Sequence, residues 1–132
     1  MREIKFRFYD PFNETMVYQS EDVHKPNDSL YKFFTLYNAA LEGENKPILM
    51  QYTCLKDANG KEIFEGDIVE GWFYQHRGNF EVVFDDGAFS LIINDEYVPC
   101  LYEANPNKNL KVIGNIYENS ELLTQQPKDT DD

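Results

Sequence analysis

LMQYTCLKDANGKEIFEGDIVE, residues 49–70, alternates between extended runs and tight turns, and its reading decides the fold. It predicts a strand, a tight turn, a short strand, a second turn and a third strand. Asn59-Gly60 supplies the positive φ that a two-residue hairpin turn requires and most residues resist. Glu65-Gly66-Asp67 then redirects the chain into Ile68-Val69, where the longest β-rich run begins.

Downstream the strand signals come quickly. Ile68 to Tyr74 reads as one strand and Gln75 to Asn79 as its loop. Phe80 to Phe84 alternates with Phe80, Val82 and Phe84 on one face; Asp86-Gly87 turns the chain, and Ala88 to Ile93 returns. Tyr97 to Tyr102 is expected as a short edge strand, because Pro99 lacks the N–H that an inner strand needs. Asn105 to Asn109 reads as a polar loop, Lys111 to Tyr117 as the closing strand, and Asn119 to Leu123 as one helical turn capped by Asn119. Residues 124–132 carry no apolar anchor and are expected to fray.

Upstream, Glu3 to Tyr9 alternates strictly. Ile4, Phe6 and Phe8 point one way and Lys5, Arg7 and Tyr9 the other, the pattern of a half-buried strand. Asp10-Pro11-Phe12-Asn13 is a turn, and Thr15 to Tyr18 returns as a hairpin partner. Ser20 to Asn27 reads as a loop. Asp28 to Glu42 changes period: Leu30, Phe33, Phe34, Tyr37, Ala40 and Leu41 form one apolar helical stripe. Asn27 or Asp28 is expected to cap its start and Gly43 to close its end. The stripe packs on the sheet or completes a groove, with partner binding as the alternative. Glu44 to Pro47 links it to the central stretch.

MREIKFRFYD at the start, the central block, FEVVFDDGAFSLI after it and KVIGNIYENSELL near the end stand in the order found in the YopX family of phage and prophage proteins. The chain resembles that family over about half its length, most specifically in the central block. Cys54 lies where the family usually has Gly, and Ser120 where Pro is common. The resemblance implies an SH3-like β-barrel and a mobile-element origin, and brings no activity, cofactor or catalytic residue with it.

Composition bounds the function. The chain has 132 residues, of which 42% are hydrophobic, and holds nine Tyr, ten Phe and one Trp, a content suited to packed β-structure. No apolar run approaches the roughly 20 residues needed to cross a bilayer. The opening residues alternate as a strand does and not as a signal peptide, so the expected location is the cytoplasm. Net charge is −12, and residues 61–132 hold fifteen acidic against five basic side chains. A nucleic-acid backbone would be repelled there, so no direct nucleic-acid binding is expected. Solubility explains the charge, with mimicry that occupies a nucleic-acid-binding protein as the alternative. Cys54 and Cys100 are far apart in sequence and read as free thiols.

The search for chemistry yields little. Glu65 and Asp67 could share a proton or a metal, but Asp67 is better placed to accept backbone N–H groups at the turn. Asp85-Asp86-Gly87 and Asp57 to Glu62 lack the alternating ligands of a calcium loop. His24 and His76 have no nucleophile beside them in sequence; a Cys54–His76 pairing is the one noncontiguous enzyme site worth testing. No metal or cofactor site is indicated. The most suggestive surface is Trp72, Tyr74, His76 and Arg77, since aromatics beside an arginine are the composition of interface hot spots. Alternation leaves open whether Trp72 and Tyr74 lie inside or outside.

The expected protein is mainly β. A hairpin and one helix over residues 1–47 pack against an SH3-like barrel over residues 48–123, followed by a flexible acidic tail, 124–132. The expected role is a non-enzymatic protein-interaction module that binds a protein partner or itself as a homo-oligomer, without a membrane.

Overall fold

The computed structural model describes residues 4–19, 26–73, 76–93, 96–98 and 100–124. The chain is mainly β, with its strands in two antiparallel sheets. It divides into two compact units, one ending at Gln51 and the other starting at Tyr52.

In the first unit, β1 (Phe6–Asp10) pairs with β2 (Thr15–Tyr18) on one side and with the start of β3 (Ile48–Lys56) on the other. The turn between β1 and β2 forms because the Asp10 carboxylate accepts the Phe12 and Asn13 N–H groups at 3.0 and 3.4 Å. Helix α1 (Pro26–Leu41) lays Phe33, Phe34 and Tyr37 against Phe6 and Phe8. Those rings meet edge-on or tilted with centroids 5.3–6.0 Å apart, the spacing at which ring quadrupoles attract. The expected stripe is therefore the packing face, as far as its described side chains go.

Two expectations for this unit need correction. The helix begins at Pro26, so Asn27 and Asp28 lie inside its first turn and do not cap it. Proline suits that place because the first-turn N–H has no helical partner anyway. At the other end Gly43 N–H bonds to Ala40 carbonyl at 3.1 Å, and the Lys46 ammonium donates to Leu41 carbonyl at 2.6 Å. Lys5 and Arg7 are 3% and 2% exposed, so the second face of β1 is covered too. The Arg7 guanidinium donates to the Tyr18 hydroxyl at 3.3 Å and lies 5.7 Å from the Tyr18 ring centre, which offsets part of its desolvation.

The second unit begins within β3, whose later residues pair with β4 (Glu62–Phe64). Beyond it lie β5 (Asp67–Phe73), β6 (His76–Asp85), β7 (Ala88–Ile93), β8 (Glu96–Val98), α2 (Pro106–Asn109) and β9 (Leu110–Asn115). Five of these strands form one antiparallel sheet in the order β8-β7-β6-β5-β9, curved as a half-barrel. Among the described residues no ladder joins β8 to β9. Ile63, Val69, Phe80, Val82, Leu91, Leu101, Ala104 and Leu110 form the core.

The sequence reading placed several boundaries differently. β6 starts at His76, so the expected loop from Gln75 to Asn79 is mostly strand. Leu101–Ala104 is a 3₁₀ turn and not the end of an edge strand, because Leu101 and Ala104 drop into the core. Pro106 starts a short helix where a polar loop was expected. Phe84 is half exposed and meets Phe89 at 5.0 Å beside the Asp86-Gly87 turn. Ser120–Leu123 is the expected helical turn, but Asn119 does not cap it with its side chain. That side chain instead accepts the Asn115 N–H at 3.1 Å. Residues 125–132, on which the fraying tail was expected, lie outside the described residues.

Candidate functional site

The polar residues of the central block hold turns. Asp57 is 3% exposed, and one of its carboxylate oxygens accepts the N–H groups of Asn59 and Lys61 at 2.9 and 2.8 Å. Its other oxygen accepts the Val112 N–H of β9 at 2.8 Å. The turn thus spans Asp57 to Gly60 and is wider than the two-residue Asn-Gly hairpin expected. Nothing local in the sequence marks this use of Asp57, since its third donor lies far along the chain. Asp67 is 2% exposed and accepts the Phe64 N–H at 2.8 Å, the turn-fixing role expected of it. Gly66, at φ +88°, donates to Val82 carbonyl at 2.8 Å and accepts from Ile116 at 2.9 Å.

The block near the end works likewise. The Asn115 side-chain oxygen accepts Tyr117 and Glu118 N–H at 3.0 and 2.9 Å, while its amide donates to the Glu118 carboxylate at 2.8 Å. A Cβ on Gly114 would sit 2.5 Å from the Asn119 side-chain oxygen, so only glycine leaves room for that link. Among the described residues no group of three or more His, Cys, Asp or Glu could hold a metal ion. No described helix is long and apolar enough to cross a membrane.

The expected interaction surface lies where β5 ends and β6 begins, at the turn end of their hairpin. Trp72 stands directly opposite Arg77, and Phe73 opposite His76. Trp72 is 56% exposed and Arg77 is exposed, so the ring points away from the core and the guanidinium shares its end of the sheet. The stem beneath is firm, because Val69 and Phe80 pair in register and are completely buried. Tyr74, the His76 side chain and His24 lie outside the described residues.

Cys54 occupies a different place. It lies in the irregular part of β3, at φ +70°, a left-handed conformation that glycine adopts without strain. A groove of about 560 Å³ opens there, walled by Cys54, Leu55, Lys56, Tyr102, Glu103, Asn105, Pro106 and Asn107. Its partner in the noncontiguous pairing, the His76 side chain, is again outside the described residues. Both cysteines are half-buried. Of the described titratable groups, Glu81 is raised above the usual carboxylate value of 4.5, by burial of its carboxyl among β-strand neighbours.

The YopX protein family model matches residues 5–124. This chain belongs to the YopX family. Among solved structures, protein EF1440 from Enterococcus faecalis is 29% identical, with a TM-score of 0.60 over 93% of this chain and 99% of that one. The yopX protein of Bacillus subtilis is 20% identical, with a TM-score of 0.52 over 90% of this chain and 97% of that one. At that identity the second likeness is one of fold. No curated protein matches the chain. At φ +70° Cys54 holds a backbone conformation that suits the glycine implied there by the family resemblance, and nothing in the structure explains the cysteine.

Proposed function

We propose that the chain is a phage- or prophage-encoded protein-interaction module that acts in the cytoplasm without catalysing a reaction. Its unit from Tyr52 onward is read as an SH3-like barrel, a reading supported by the antiparallel strand order and half-barrel curvature. The observation that carries the proposal is Trp72, 56% exposed and opposite Arg77 at the end of a hairpin whose stem is anchored in the core. A large ring held in water by a rigid support loses little conformational entropy on docking, and an adjacent guanidinium adds direction. The partner is another protein or a second copy of the chain.

The test pairs light scattering of the pure chain with affinity purification from lysogenic cells, using the wild type and Trp72→Ala. Trp72→Ala should leave thermal unfolding within about 0.5 kcal/mol, because an exposed side chain contributes little to folding. It should abolish the self-associated species or the captured partner. If the wild type is a concentration-independent monomer and both baits recover the same proteins, the surface has no such role.

A further inference from the structure

Helix α1 carries a second apolar face, apart from the one that grips β1. Leu36, Ala39, Ala40 and Gly43 recur at i, i+3, i+4 and i+7, and together with Asp10, Phe12, Asn13, Glu44 and Asn45 they wall a groove of about 530 Å³. Phe12 is 78% exposed and Leu36 55%, so two large apolar side chains stand at its sides with nothing over them. Between them the floor is made of methyl groups and a glycine, which leaves depth for an incoming side chain. The two charged residues that line it, Asp10 and Glu44, are both acidic, and Glu42 and Glu14 are exposed beside it in sequence. Lys46 lies beside Asn45 in sequence and keeps its charge while its ammonium donates to the Leu41 carbonyl at 2.6 Å, outside the lining.

From this geometry we infer that the groove docks a segment of another protein in which a large apolar side chain is flanked by lysine or arginine. The apolar anchor fills the space over Ala39, Ala40 and Gly43 between Phe12 and Leu36, and its basic flanks meet Asp10 and Glu44. Charge selects this occupant over a second copy, since joining two such faces would set Asp10 and Glu44 of one copy against Asp10 and Glu44 of the other. Burial of the exposed rings supplies the affinity and the rim carboxylates supply orientation and rate. None of the residues that line it belongs to the Trp72 hairpin end, and the inference does not depend on that surface.

The test uses the full isotope-labelled chain and a fourteen-residue helical probe peptide built only of leucine and lysine, with a leucine–glutamate peptide of the same pattern as its counterpart. The lysine peptide should shift amides of residues 10–13 and 36–45, and the glutamate peptide should not. Ala40→Trp, which plugs the floor, should weaken binding by about tenfold or more, and Glu44→Lys by about fivefold with a shallower salt dependence. Leu36→Asp, at an exposed position, replaces Ala40→Trp should that variant fail to fold. Shifts scattered over the acidic residues beyond Tyr52, equal binding of both peptides, or Ala40→Trp binding like the wild type would each overturn the inference. So would a concentration-dependent dimer that Ala40→Trp disperses, because the occupant would then be a second copy.

Discussion

Removing the Asp57 carboxylate should be among the most damaging changes available in the second unit. In Asp57→Ala three backbone N–H groups lose a charged acceptor: Asn59, Lys61 and Val112, at 2.9, 2.8 and 2.8 Å. Hydrogen bonds to a charged group contribute roughly 1.5–3 kcal/mol each. Asn59 and Lys61 are exposed, so water replaces much of what they lose. Val112 is half-buried, and its stranded donor costs about 1–3 kcal/mol. The sum is about 3–5 kcal/mol, against a typical total stability of roughly 5–15 kcal/mol. Asp57→Asn can keep the oxygen facing the turn but sets an amide N–H against Val112, so it should cost less, about 2 kcal/mol. Urea titration followed by fluorescence is the assay, since Trp72, the one tryptophan, sits on β5 and reports on this unit. Hydrogen exchange adds a local reading: the Val112 amide should lose protection before that of Val82. A loss below about 1 kcal/mol for Asp57→Ala, or a Val112 amide exchanging as in the wild type, would refute the reasoning.

Three further changes test other parts of the structure. Gly71→Ala would drive a Cβ into the Asn109 carbonyl oxygen, with Leu110 Cδ2 at 2.8 Å, so β5 and β9 must part; calorimetry should show a loss of about 3 kcal/mol or no folded protein. Cys54→Gly should stabilise by about 0.5–1 kcal/mol, because glycine removes the left-handed strain at a small entropic cost, and Cys54→Val should destabilise by more than about 1 kcal/mol; denaturant midpoints decide. Glu81 has its folded pKa raised above 4.5 by burial, so the folded state holds that proton more tightly. Its stabilising contribution is complete below about pH 4.5 and is lost as pH rises through the folded value. Glu81→Gln should therefore raise the melting temperature at pH 7 and lose that advantage near pH 4; a constant difference across the range would exclude the linkage.

The central block was legible in advance because its turn chemistry is local. Gly60 and Gly66 have the positive φ that their neighbours implied, and Asp67 binds a backbone N–H three residues away. What escaped the sequence depends on distant partners or on competition between neighbours. Asp57 looks like an ordinary turn aspartate until Val112 is brought beside it. Pro26 and Pro106 resemble breakers, yet each starts a helix, because a helix start is the one place that tolerates a missing N–H. Trp72 lies on a strand with rings at successive positions, so alternation alone could not say which set faces water; its 56% exposure places it outside. The groove on α1 was half visible, since Leu36 falls off the main stripe and Ala40 lies at its margin.

The Asp57 clamp also has a bearing on how the chain is made. Its carboxylate emerges from the ribosome 55 residues ahead of the Val112 amide it will hold. At synthesis rates of roughly 5–20 residues per second, that interval lasts about 3–11 s. Throughout it the aspartate lacks its third donor, and β5 waits without β9 beside it. A nascent chain arrested before β9 should therefore remain protease-sensitive at the Asp57 turn, and the pairing of β9 with β5 should be the event that locks it.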